Sequence, residues 1–477
     1  MAKKKTLVTL LVDNSISFDL IENEKGNKAY EEEILSFDAD NTDEYAKTGN
    51  FSGVRVYNFT PSEIPNFDKV CLDSKAWNYL LPIEEISLSD MTEKQVLSLL
   101  GIIGSELKSL YLNYSSFSRL QLDRIMAICP KLCKLELDDQ NWERENRLPI
   151  ELNKIGKQKF EQIICRKFAI ESEANWSNLN IETINLDVCD TSTIIFPKKL
   201  KKLICIASNE DVFINGAESL SELEITINSE AAKTVDLKSL RSLCNLDLQI
   251  FFAFNSKVSL PSSIRTLKIG TSSSMKFSLG FLKELSSLDS LIINSADKGF
   301  KDFDVIRSLS KLKYFNFDEN GIGNTPFKSD FKTEYLKGLK RLEQIRLRYV
   351  LNLTDFSFVK ELESLKILEI DTSRVKTLKG LENGHITQLH FYDCHGISDL
   401  TPILKSKVVD FKFHISNLWA TKVEMTVQTL NQLADSNIQN GEILMNKTKF
   451  AKKDLKTLEK VFNLEVEFES LNITRKK

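Results

Sequence analysis

The groups best able to do chemistry in this chain are four histidines and eight cysteines, so their placement is the first question. His385, His390, His395 and His414 fall in one short window, a grouping suited to metal binding or proton transfer if the rings converge. His390 stands between Leu389 and Phe391 and His414 follows Phe413, which places both on the polar side of alternating strands. His385 and His395 fall in the turns on either side of the first strand. The spacing predicts four surface histidines that do not meet, and no metal site. Cys71, Cys129, Cys133, Cys165, Cys189, Cys205, Cys244 and Cys394 are irregularly spaced, and most stand beside Leu or Ile. Thiols used in this way are small apolar fillers and point to a reducing compartment. Cys129-x-x-x-Cys133 has no second pair and no nearby histidine, so it fails as a zinc motif. Gly321-Ile322-Gly323 lacks the third glycine and the Lys-Ser/Thr of a phosphate loop. Asp318-Glu319-Asn320-Gly321 lacks the remaining ligands of a calcium loop. Carboxylate pairs such as Glu369 and Asp371 recur among other charges and read as solvated. No catalytic residue, metal or cofactor is expected, and the chain reads as a protein that is not an enzyme.

Something other than a catalytic centre must therefore organise 477 residues. A hydrophobic share of 42% with 27% charged residues excludes a disordered chain. The net charge of −3, from 64 basic and 67 acidic residues, gives no general electrostatic case for nucleic acid. At the N-terminus, Lys3-Lys4-Lys5 followed by Thr6 to Val12 imitates a signal peptide. The stretch runs into Asp13-Asn14 without a small-residue cleavage site, and Ser15 to Leu20 alternates. A β-hairpin turning at Asp13-Asn14 is expected instead. No apolar stretch is long enough to span a bilayer, and a cytoplasmic, monomeric protein is expected.

The organising signal is a repeat of the form apolar-x-x-apolar-x-apolar. It appears as Leu107-Lys-Ser-Leu110-Tyr-Leu112 and Leu132-Cys-Lys-Leu135-Glu-Leu137, and continues through Ile181, Leu200, Leu220, Leu243, Ile264, Leu288, Leu312, Leu342, Leu365 and Ile386 as first positions. Weaker copies stand at Ile83 to Leu88, Phe160 to Cys165 and Val408 to Phe413. Most spacings lie in the low twenties, the period of a solenoid. The last two apolar positions are two residues apart and share one face of a short strand. A single strand cannot bury that face alone, whereas a parallel stack of copies buries a continuous core.

Segments such as Leu353-Thr-Asp-Phe-Ser-Phe-Val-Lys-Glu-Leu-Glu-Ser-Leu365 and Ile397-Ser-Asp-Leu-Thr-Pro-Ile-Leu404 resemble repeats of internalin-type and sds22-like leucine-rich-repeat proteins. The resemblance covers roughly residues 83 to 413. It implies a curved α/β solenoid with parallel strands on the concave face and short helices, 3-10 turns and loops on the convex face. In that family an Asn or Cys closes each repeat. Cys189, Asn228, Asn320 and Cys394 match here, while Phe251, Ala296 and Ser373 depart from the pattern.

Three regions follow: a β-rich N-terminal cap or small domain over 1–80, the repeat array over 81–420, and α/β repeats with a cap over 421–477. Helices are expected from Thr92, over Ser118 to Ile128, at Val427 to Leu433 and over Lys452 to Phe462. Strands are expected at Gly441 to Met445 and from Leu464. Arg475-Lys476-Lys477 reads as a solvated tail.

Strand positions alternating with the core form the concave face. One column reads Tyr111, Glu136, Asn185, Glu224, Asp247, Lys268, Asn316, Arg346, Glu369, His390 and Lys412. Its neighbour includes Asn113, Asp138, Asp187, Gln249, Asp318, Arg348, Asp371, Tyr392 and His414. Arginine and aromatic residues gather toward the C-terminal half, and such side chains are enriched at interface hot spots. Arg346, Arg348, Tyr349, Glu369, Asp371, His390, Tyr392, Lys412 and His414 are therefore the expected partner-binding residues. A scaffold or regulator that binds a protein, and no nucleic acid, is the leading expectation. The alternative is a delivered factor acting on a host or competitor cell; an enzyme confined to residues 1–80 is the third.

Overall fold

A computed structural model of the chain describes residues 18–22, 51–59, 83–89, 91–114, 121–139, 149–170, 174–229, 232–251, 257–271, 277–295, 299–319, 330–350, 352–372, 375–415, 425–445, 450–467 and 469–476. Two compact units divide the chain: Met1–Asn209 with Phe213–Glu222, and Glu210–Val212 with Leu223–Lys477.

In the first unit, β1 (Phe18–Glu22) pairs antiparallel with β2 (Phe51–Phe59), and β2 pairs parallel with β3 (Ile83–Ser89). The expected turn at Asp13-Asn14 lies outside the described residues, as do Cys71, Gly321-Ile322-Gly323, Asn320, Ala296 and Ser373. Helix α1 (Glu93–Ile103) begins where Thr92 predicts it. The Thr92 hydroxyl accepts from the Gln95 N–H at 3.3 Å while the Gln95 side chain accepts from the Thr92 N–H at 2.9 Å. This reciprocal cap satisfies two otherwise unpaired donors. Val96, Leu99, Leu100 and Ile103 form the helix's buried stripe. Beyond it, β4 (Ser109–Tyr114), α2 (Leu122–Ile128) and β5 (Lys134–Asp139) alternate, followed by β6 (Lys159–Arg166), β7 (Asn180–Cys189) and β8 (Lys202–Ala207). All six strands from β3 run parallel, with Ile86, Leu110, Leu135, Ile163, Ile184 and Leu203 in one buried row. The register shifts within the β7–β8 pair, and the buried Cys205 thiol there, hydrogen-bonded to Cys189, is pushed well above its ordinary pKa. Burial alone raises Cys129 to about 12. Both facts fit thiols used as core packing.

The second unit continues the same construction with β9 (Glu222–Ile227), of which only Glu222 belongs to the first. Then come β10 (Asn245–Ile250), β11 (Thr266–Thr271), β12 (Ser290–Ser295), β13 (Tyr314–Asp318), β14 (Gln344–Arg348), β15 (Ile367–Asp371), β16 (Gln388–Tyr392), β17 (Asp410–Ile415) and β18 (Asn440–Met445). From β10 to β18 each strand pairs parallel with the next and the register holds without a shift. Leu246, Leu267, Leu291, Phe315, Ile345, Leu368, Leu389 and Phe411 stack in one buried row, and the residues two positions later in a second. Phe303, Phe317 and Phe331 thicken this core, with the Phe317 and Phe331 ring centroids 4.6 Å apart.

Return segments vary with the repeat. Asp211–Val212, Thr234–Asp236 and Lys257–Ser259 form a small parallel sheet, so short strands stand where helices or 3-10 turns were expected. Later repeats do return through 3-10 turns, as at Ser357–Glu361. The recurring Asp of the Thr-Asp-Phe and Ser-Asp-Leu segments has a physical job there. Asp355 and Asp399 carboxylates each accept a backbone N–H two residues on, from Ser357 and Thr401, at 2.9 Å. That bond holds the Asp355 carboxyl below its ordinary pKa.

Repeat closure differs from the expected ladder of Asn and Cys. Cys189 and Cys394 are buried, but Asn228 is exposed and Phe251 protrudes. Asn228 follows Ile227, and it is this isoleucine that is buried, so the Asn at the matching position stays outside. Three later strands use another device. Tyr349, Thr372 and Asp393 adopt left-handed backbone at φ 58°, 46° and 50°, and their N–H groups donate to the carbonyls of Asp371, Tyr392 and His414. Each turn is thereby tied to the following strand.

The C-terminus closes with β19 (Phe462–Val466) and β20 (Ser470–Arg475), β20 pairing antiparallel with both β18 and β19. Gly441 stands opposite Ile473, whose side chain lies 2.7 Å from where a Cβ would be. The helices expected here are shorter, at Val427–Leu430 and Lys456–Glu459. Arg475 and Lys476 are not a solvated tail. The Arg475 guanidinium donates to the Ile438 carbonyl at 2.8 Å and to that of Ser436, and lies 4.8 Å from the Phe462 ring centroid. Lys476 donates to the Glu459 carbonyl.

Candidate functional site

Strand alternation puts one set of side chains in the core and the other on the open face, and in-register pairing turns that face into rows. In the second unit, one row runs Asn316, Arg346, Glu369, His390, Lys412, Glu442. The next runs Asp318, Arg348, Asp371, Tyr392, His414, Leu444. Eight of the nine residues expected from the sequence thus lie in two adjacent rows, and Tyr349 caps the Arg348 strand.

Arg348 sits between two carboxylates. Its Nη1 donates to Asp318 Oδ2 at 3.3 Å, and its Nε lies 3.1 Å from Asp371 Oδ2. Burial works against this cation, but the charges of Asp318 and Asp371 outweigh it and hold its pKa above the ordinary value. Burial raises the Asp318 carboxyl despite the adjacent guanidinium, and its Oδ1 is buried without a hydrogen-bond partner. The guanidinium also lies 5.1 Å from the Tyr349 ring centroid. Arg346 pairs more loosely, with Nε 3.6 Å from Glu369 Oε2. Asp371 is further fixed by the Thr372 hydroxyl at 2.7 Å.

At the other end, Lys412 Nζ meets Glu442 Oε2 at 3.0 Å and His414 Nε2 lies 3.1 Å from Glu442 Oε1. The Lys412 hydrogen bond lowers the Glu442 pKa and raises that of Lys412. Tyr392 stands between the two histidines, edge-on to His414 at 5.4 Å and to His390 at 6.4 Å between ring centroids. Burial depresses the His390 pKa, with Glu369 3.9 Å from its Nδ1 pulling the other way. His390 and His414 therefore share one patch on neighbouring strands. His385 is elsewhere, its Nδ1 3.0 Å from Lys407 Nζ. Among the described residues, no group of three or more His, Cys, Asp or Glu side chains is placed to hold a metal ion.

Sequence reading missed Glu442, whose carboxylate pairs with Lys412 and lies close to His414. Its strand was legible, but Gly441 occupies the apolar position that would have aligned it with the repeat. In the first unit the expected column is interrupted by Ile164 between Glu136 and Asn185. The acids there are answered locally, Glu136 by Arg166 and Asp138 by Lys167.

No family model matches the sequence, and no curated protein matches it. Among solved structures, a leucine-rich-repeat protein of Leptospira interrogans is similar at 17% identity and TM-score 0.44, over 80% of this chain and 88% of that one. An internalin of Listeria monocytogenes aligns at 16% identity and TM-score 0.33, over 65% and 81%. The TLR13 chain of a complex with single-stranded RNA aligns at 12% identity and TM-score 0.39, over 83% and 74%. These scores are low, and the assignment rests on the repeat and the strand ladder themselves. Short parallel strands recurring with each apolar-x-x-apolar-x-apolar copy, in register and joined by 3-10 turns, make this a leucine-rich-repeat fold.

Proposed function

We propose that this chain is a non-enzymatic scaffold or regulator that holds a protein partner on the open strand face of its second unit. The observation that carries the reading is the pair of adjacent rows from Arg346 to Lys412 and from Arg348 to His414. They combine guanidinium groups paired with recessed carboxylates, and aromatic edges, on a parallel sheet in continuous register. Strand-borne side chains held by neighbours lose little freedom on binding, so their contacts are not cancelled by ordering costs. Arginine and tyrosine on such a surface are typical energetic anchors. Among the described residues no helix is long and apolar enough to cross a membrane.

The test is affinity capture from lysate of the source cells with the purified chain as bait. A specific protein should be retained by the wild type and released by combined Arg346→Glu and Arg348→Glu. Retention indifferent to that double change, in a chain that melts normally, removes this face from the binding reaction.

A further inference from the structure

Depth on the second unit's face sorts the charges. Side-chain exposure is 40% for Arg346, 36% for Arg348 and 34% for Lys412, against 19% for Glu369, 19% for Asp318 and 12% for Asp371. Around the two arginines the cations form the outer layer and the carboxylates the layer beneath. The inner acids hold the guanidinium groups in place without using up their donors. Arg348 donates one hydrogen bond, from Nη1 to Asp318 Oδ2, while its Nε lies 3.1 Å from Asp371 Oδ2 without a hydrogen-bond partner among the described residues. Arg346 Nε lies 3.6 Å from Glu369 Oε2, an ion-pair distance longer than a hydrogen bond. A guanidinium carries five N–H donors in a planar fork that fits a carboxylate bidentately. Two half-exposed guanidinium forks, held over inner acids by one hydrogen bond and two further ion-pair contacts, form an arrangement that can receive carboxylates.

Spacing narrows the ligand. Arg346 and Arg348 stand on the same face of β14 two residues apart, about 6.6 Å along the strand. Alternate side chains of an extended peptide have the same separation. From this match we infer that the partner segment is an extended acidic stretch with carboxylates at alternate positions, laid over Arg346 and Arg348. The inference rests on the scaffold reading and specifies the chemistry of what that face receives. Glu442 is the one strongly exposed acid in these rows, and Lys412 and His414 engage it on the far side of Tyr392.

The probe is a fluorescein-labelled peptide of alternating Glu and Ser, titrated with the full chain and read by fluorescence anisotropy. It should bind at least about tenfold more tightly than the same peptide with Gln for Glu, and more weakly as salt is raised. Arg346→Gln and Arg348→Gln should each weaken it about tenfold, and Arg348→Lys by less, because charge remains while the fork is lost. Hydrogen exchange on the unaltered chain gives a reading independent of variant folding, with protection by the peptide expected at β14 and β15. Equal binding of the Gln peptide, tighter binding of a labelled oligothymidylate, or protection elsewhere overturns the inference. Lysate capture that depends on both arginines, with no binding of the Glu peptide, discards the acidic segment and keeps the scaffold. Peptide binding with capture indifferent to the arginines discards the scaffold instead.

Discussion

His390 is a residue whose protonation couples folding to pH. Half-buried beside Tyr392 and facing Glu369, Asp410, Lys412 and His414, it holds its proton less readily than the ordinary value of 6.5. Below 6.5 the unfolded chain takes up a proton that folded His390 resists, so the unfolded state binds more protons and stability falls as pH drops. His390→Gln should flatten that acid-side loss, measured as the urea midpoint from neutral pH downward. A pH dependence unchanged by the substitution would place the titration elsewhere. Glu442 works in the other direction. Its carboxyl is lowered by the Lys412 hydrogen bond, so its contribution is present above its ordinary 4.5 and is lost as pH falls through the depressed value.

At the scale of elements, the buried rows and the turns between them set stability. Leu368 is fully buried in the ladder, and Leu368→Ala should cost about 2–5 kcal/mol in denaturant unfolding. Gly380 opens a 3-10 turn at φ 103°, and a Cβ there would stand 2.4 Å from the Phe356 carbonyl carbon. Gly380→Ala should therefore destabilise by more than about 1 kcal/mol, because neither the backbone angle nor the neighbouring backbone can yield. Removing the Arg475 guanidinium with Arg475→Ala leaves the Ser436 and Ile438 carbonyls unpaired, at a cost of about 1.5–3 kcal/mol. A solvated side chain would show no such loss. The strands were legible because two apolar residues two apart leave a period that nothing else in the sequence imitates. Asn228 and Arg475 were not, for different reasons. Repeat closure at Asn228 depends on where the preceding strand ends, and Ile227 extends the buried run by one residue. Arg475 acts on carbonyls nearly forty positions earlier, a partnership set by the antiparallel return of β20. The outward-facing rows were legible wherever the motif fixed the register, and were lost at Gly441 where it did not.

For the whole molecule, the two compact units imply that unfolding need not be a single transition. A lesion such as Leu368→Ala should lower protection from hydrogen exchange across its own and neighbouring strands in the second unit. Amides around Leu135 and Ile163 in the first unit should keep theirs. Uniform loss in both units would mean that the chain unfolds as one cooperative body.

The unbroken register from β10 to β18 separates two sets of instructions that most folds entangle. Core-filling and outward positions alternate along most of each strand, so the outward ones in the row from Asn316 to Lys412 can be rewritten with little disturbance to the packing beneath. Randomising Asn316, Arg346, Glu369, His390 and Lys412 together would vary a contiguous strip on a constant frame. The unit is thereby suited to serve as a display scaffold, from which binders to unrelated targets could be selected while the hydrophobic rows stay as they are.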